Sequence, residues 1–252
     1  MLGKDQKMSR LYLIRHGQAS FLSDNYDQLS DIGKNQAAEL GDDLSSKEII
    51  FNTVYSGDLV RQRDTANIVA ERYASKDVSF PEIKTHIGMN EYPAEEIMTT
   101  LGKHLIENNH EAAELFKSCN NANEESDRHR YFQKLFELIL EHWVHGHGSE
   151  IGLSVTWSEW SDGVRNTLRE IMMDAEKNEL IGVFTSGGPI GVSLQTALEA
   201  PQIKAAELNW RIYNSSVTRY TFSGSRFSLD QFNDIWICSR KQIAEFWYDK
   251  FL

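Results

Sequence analysis

A chain of 252 residues, 40% hydrophobic and 25% charged, is long enough for one large domain with a proper core and has an ordinary globular balance. Its formal net charge of −11 argues against a nucleic-acid partner, although a few converging cations can still bind an anionic metabolite. Cys119 and Cys238 show neither C-x-x-C spacing nor a zinc pattern, and MLGKDQKMSR is not followed by an apolar stretch. The expectation is therefore a cytoplasmic protein without signal peptide, membrane span, metal or organic cofactor.

In chain order, Leu11 to Ile14 is a short apolar run that predicts a buried strand ending in Arg15-His16-Gly17. Ser30 is placed to cap a helix with Ala37, Leu40 and Leu44 on one face. Thr53 to Tyr55 predicts a second strand before Ser56-Gly57. A helix from about Asp58 follows, with Ala66, Val69, Ala70 and Tyr73 on one stripe. Residues 93–160 read as a mostly helical, cap-like insertion over the strand C-terminal ends. Within it, a helix is expected over 101–116, a polar loop over 120–127, and a helix from Tyr131 to Val144 that ends at His145-Gly146-His147-Gly148. Strand and helix then alternate again. Glu159 to Met173 is helical and Leu180 to Phe184 is a strand running into Thr185-Ser186-Gly187-Gly188. Pro189 suits the first position of a helix to about Leu198. Residues 215–222 and 227–232 flank a hairpin turn, and Ser239 with Gln242 forms a capping box for a last helix. The expected class is α/β: one domain over 1–252 with a mainly parallel sheet, helices on both faces and an antiparallel edge hairpin.

Ligands of such sheets bind beyond the C-terminal ends of the strands. Arg15 and Arg61 offer planar donor forks suited to phosphate oxygens. Gly187 and Gly188, before a helix, can present backbone N–H groups to an anion. His16 between these cations is a candidate nucleophile, because neighbouring arginines favour the neutral imidazole. Ser186 is either a phosphate contact or only a helix cap. His142, His145 and His147 match no zinc-ligand spacing and read as a helix end.

These segments resemble the histidine phosphatase superfamily, the phosphoglycerate mutase-like family. Leu13-Ile14-Arg15-His16-Gly17-Gln18 is similar to its signature, whose histidine becomes phosphorylated. Leu29-Ser30-Asp31-Ile32-Gly33 with Gln36-Ala37 is similar to the segment that follows. Tyr55-Ser56-Gly57-Asp58-Leu59-Val60-Arg61 with Thr65-Ala66 is similar to the segment supplying the second phosphate-binding arginine. Met89-Asn90-Glu91 resembles the place of the acid/base glutamate, with Glu95 as the alternative. Asn214 to Thr218 and Phe232-Asn233-Asp234 are similar to late family segments.

The resemblance implies a phosphomonoesterase with His16 and Glu91 as catalytic residues and Arg15, Arg61, Ser186 and Gly187 at the phosphate. Its substrate would be a small phosphorylated metabolite or a phosphoprotein. One departure stands out: Ser186 occupies the place of the family's second pocket histidine. Exchanging a charged donor for a hydroxyl costs on the order of 2–4 kcal/mol of transition-state stabilisation, roughly 30- to 1000-fold in rate. A pseudophosphatase that binds a phosphorylated ligand is thus a rival reading. A phosphoglycerate-type mutase is a weaker one, since Ala19 to Tyr26 lacks the stretch that mutases carry after the signature.

Overall fold

The computed structural model describes residues 8–20 and 27–235. Strand β1 (Ser9–Arg15) holds Leu11, Leu13 and Ile14 fully buried on both of its faces, so the sheet around it must be covered on both sides. The other strands are β2 (Thr53–Ser56), β3 (Ile83–Thr85), β4 (Leu180–Thr185), β5 (Val217–Ser223) and β6 (Arg226–Asp234). They form a six-stranded sheet in the order β3-β2-β4-β1-β5-β6. β1, β4, β2 and β3 run parallel, while β5 is antiparallel to β1 and β6 to β5. The α/β class, the mainly parallel sheet and the edge hairpin are as expected. The hairpin turns at Gly224, whose φ of +58° a side chain would strain. Strand β3 was not anticipated; three partly exposed residues are too few to show a period.

One face of the sheet is covered by α1 (Asp31–Ser46) and α2 (Val60–Ala74). Ser30 Oγ caps α1 by accepting from Gly33 N–H. Leu40, Leu44, Val69 and Tyr73 pack there on Tyr12, Ile14 and Val54. α2 begins at Val60 rather than Asp58, because Leu59 still has an extended backbone.

The chain then crosses to the opposite face. α3 (Ala94–Ile97) passes through a π turn (Met98–Gly102) into α4 (Lys103–Asn108), and α5 (His110–Asn121) follows. The single helix expected over 101–116 is therefore two. Asn109 interrupts it by taking an extended backbone and accepting from Glu111 and Ala112 N–H, the local bonding that makes Asn a cap rather than a helix interior. The polar stretch 120–127 is not a loop along its length either. α6 (Glu125–Val144) starts within it, with Glu125 and Asp127 complementing the positive helix start. Gly146 and Gly148, at φ +91° and +120°, terminate the helical run.

α7 (Trp157–Met173) begins in a capping box between Thr156 and Glu159. α8 (Gly187–Ala197) places Pro189 third rather than first, where its missing N–H still costs no intrahelical bond. α9 (Ile203–Asn209) was not anticipated. One hydrophobic cluster joins Leu11, Leu13, Val183, Leu168 and Ile190 of this face to Leu101, Ile139 and Trp143. The capping box expected at Ser239 and Gln242 lies outside the described residues.

Candidate active site

Register decides which side chains meet. Arg15 pairs with Thr185 and Ser56 with Phe184, so His16, Gly57 and Ser186 leave the sheet at one edge. His16 is only 5% exposed, and its backbone N–H donates to Thr185 O at 2.9 Å. Its Nδ1 lies 2.6 Å from Gly17 O. A carbonyl can only accept, so Nδ1 carries the hydrogen and Nε2 the lone pair. Nε2 in turn accepts from Arg61 Nε at 3.1 Å. Burial, then the charges of Arg61 and Arg15, hold the imidazole pKa well below its usual value, so the ring is neutral near pH 7.

Arg61 is gripped from outside by Asp27. Asp27 Oδ1 lies 2.6 Å from one guanidinium nitrogen, and Oδ2 accepts from Val60 N–H at 2.9 Å, at the start of α2. The guanidinium of Arg15 donates to Ile212 O, just before β5. Gly17 is demanded by a close approach: a Cβ there would lie 2.3 Å from Gly33 O in the first turn of α1. Thr65 Oγ1 accepts Gly17 N–H at 3.0 Å, which ties the signature loop to α2.

Of the two glutamates left open by the sequence, the structure brings Glu91 to this place. Both its oxygens accept from Gly188 N–H at 3.1 Å. Burial raises its pKa; that bond and the charges of Arg61 and Arg15 oppose the rise. A carboxyl that keeps its proton to higher pH beside two arginines is suited to protonating a leaving group. Glu95 is exposed on α3, and Glu96 is engaged by Ser154 at 2.6 and 2.5 Å.

Ser186 is fully buried at the N-cap of α8 but makes no side-chain bond into the helix. The capping reading therefore does not describe its hydroxyl, which accepts from Gln62 Nε2 at 2.8 Å. Gly187 packs so closely on Asn209 that a Cβ would lie 2.0 Å from Asn209 Oδ1. Asp27, Gln62 and the Trp160 ring beside Gly188 are site residues that the sequence reading missed. Gln62, next to Arg61, is the one that carried a positional hint. Among the described residues no group of three or more His, Cys, Asp or Glu is placed to hold a metal, and no helix is long and apolar enough to cross a membrane.

Residues 11–129 match the family model described as the histidine phosphatase superfamily (branch 1). Over that stretch, just under half of the chain, the sequence is similar to the histidine phosphatase superfamily. The matched segment runs from β1 into α6, so His16, Arg61 and Glu91 lie inside it and Ser186 outside. Solved structures extend the likeness of fold to nearly the whole chain. A phosphoserine phosphatase from Entamoeba histolytica, in complex with phosphoserine, is 20% identical with a TM-score of 0.57, over 90% of this chain and 98% of that one. A phosphoglycerate mutase from Bacillus anthracis is 17% identical with a TM-score of 0.59, over 92% and 96%. A mycobacterial glucosyl-3-phosphoglycerate phosphatase, complexed with VO3, is 18% identical with a TM-score of 0.55, over 90% and 100%. No curated protein sequence matches significantly. The superfamily and these relatives are thus phosphatases or mutases of the phosphoglycerate mutase-like kind.

Proposed function

We propose that the protein is a phosphomonoesterase that works through a phosphohistidine on His16. The observation that carries this reading is the Nε2 lone pair of a neutral, buried imidazole held beside the Arg61 guanidinium. Arg15, Arg61, the Ser186 hydroxyl and the Gly187 N–H bind the phosphoryl oxygens. As a phosphoryl oxygen takes over the Arg61 hydrogen, Nε2 is uncovered for in-line attack on phosphorus. The P–N bond forms, the bond to the leaving oxygen breaks, and Glu91 gives that oxygen its proton. Water then attacks phosphorus, passes its proton to the Glu91 carboxylate, and the P–N bond breaks to free phosphate and neutral His16. The chemistry calls for no metal or organic cofactor.

The substrate is a small phosphorylated metabolite, in line with the relatives bound to phosphoserine and named for glucosyl-3-phosphoglycerate. The 93–160 segment acts as the cap that selects it, since its Trp160 lies with Tyr92 beside Gly188 and its Trp143 packs on Tyr92. The free thiol of Cys119 suits a cytoplasmic setting. The test is rapid-quench labelling by a labelled aryl phosphate. Wild type should give an acid-labile phosphoenzyme and turn over; His16→Ala should do neither, and normal labelling of His16→Ala sinks the proposal. The uncharged Ser186 favours one rival, a pseudophosphatase. That rival predicts phosphate binding by wild type without label or turnover.

A further inference from the structure

Gln62 is fully buried and follows Arg61 directly. Its Nε2 donates twice, to Met89 O at 3.1 Å and to Ser186 Oγ at 2.8 Å. Met89 O is a carbonyl and also accepts from Thr185 Oγ1 at 2.6 Å, so it fixes which way the carboxamide faces. Turned over, Gln62 Oε1 would meet an acceptor. As it stands Oε1 has no hydrogen-bond partner among the described residues and occupies the space where a Cβ of residue 57 would be, 1.9 Å away, which is why Gly57 is needed. The orphaned oxygen shows that the amide is held for what its nitrogen does.

Because Ser186 Oγ accepts from Gln62, its own hydrogen is left to donate, and it makes no bond into α8. Ser186 follows the residue paired with Arg15, so it leaves the sheet at the same level as His16. The geometry points to Gln62 as a positioning residue: its carboxamide commits the Ser186 hydroxyl to the phosphoryl oxygen, and the two form a neutral pair in the place where a second histidine is expected. With Ser186 and Gln62 both fully buried, an imidazole at 186 has no room until the carboxamide is removed.

This inference rests on the phosphatase reading, so binding is measured separately from turnover. Inorganic phosphate affinity by calorimetry and aryl phosphate kcat/KM are compared for the full chain, with thermal melting to report folding. Gln62→Met and Ser186→Ala should each weaken phosphate by about tenfold, and the double variant should be no weaker than either. Ser186→His should bind phosphate no better than Ser186→Ala. Combined with Gln62→Ala it should regain binding, now strengthening relative to wild type as pH falls through the imidazole range. Losses that multiply in the double variant, or wild-type affinity in Gln62→Met, overturn the pairing. Should Gln62→Met not fold, the histidine variants decide: equal binding with and without Gln62 overturns it. Wild type that neither binds phosphate nor turns over removes the phosphatase reading and this role together, whereas binding without turnover removes only the former.

Discussion

Arg61 Nε donates to His16 Nε2 across 3.1 Å while Asp27 holds the far side of the same guanidinium at 2.6 Å. One fork thus orients the proposed nucleophile and, in the proposed mechanism, faces the phosphoryl group, and Asp27 keeps it from swinging away. A lysine retains the charge but not the planar fork. Arg61→Lys should lower aryl phosphate kcat/KM by roughly 100- to 1000-fold, a charge-stabilisation loss rather than a folding one. Steady-state kinetics beside a thermal melt checks it; activity within threefold of wild type refutes the assignment.

Glu91 should matter in proportion to how badly the leaving group needs a proton. Glu91→Gln should slow phosphoenzyme formation from an alkyl phosphate by about 100- to 10,000-fold but that from a p-nitrophenyl ester far less, the leaving group being lost in that step. Glu95→Gln, on an exposed carboxylate, should match wild type with both. In the proposed mechanism Glu91 acts protonated, and burial raises its pKa, so kcat on alkyl esters should fall as pH rises through that value, and this limb should vanish in Glu91→Gln. Equal losses on both esters would remove Glu91 from the acid role.

The same two groups leave opposite marks on stability. His16 has a depressed pKa, so below the usual value of 6.5 the unfolded chain takes up a proton that the native one refuses, and stability falls with acidification. Glu91 has a raised pKa, so above the usual value of 4.5 the native state holds a proton that the unfolded one has lost, and stability falls as pH rises toward the native value. Relative to wild type, His16→Asn should therefore gain stability between pH 7.5 and 5.5, while Glu91→Gln should gain on going up from pH 4.5. Urea unfolding at several pH values measures both slopes; slopes of equal sign contradict the assignment.

Glycine at 188 protects the acid. A methyl there would lie 2.0 Å from Glu91 Oε1 and 2.9 Å from both Trp160 and Tyr92. Gly188→Ala should copy the Glu91→Gln dependence on leaving group and cost about 1–3 kcal/mol of stability. An alkyl-to-aryl activity ratio equal to wild type would show that Glu91 is not displaced.

The apolar run before Arg15-His16-Gly17 already marks a buried strand, because continuous Leu and Ile leave no face for water. Ser30 is equally readable, since a cap acts within three residues of itself. Asn109 was within reach of the same logic, yet the apolar stripe on either side of it, which tertiary packing exploits twice, conceals the break. Gln62 and Asp27 are of another kind. Their partners are Ser186, 124 residues away, and Arg61, 34 residues away, and no local period records such a meeting.

What the sequence determined by itself was the local chemistry: the RHG triplet, the S-x-D-L-x-R-x-x-x-T-A run, the strands and caps, and the serine at 186, because each is written in adjacent residues or a short period. The tertiary structure alone decided which glutamate faces the cations, which tautomer His16 carries, and what holds Ser186. Those depend on burial and on hydrogen bonds between strand ends and helices, and such groups become neighbours only when parallel strands align their C-terminal edges.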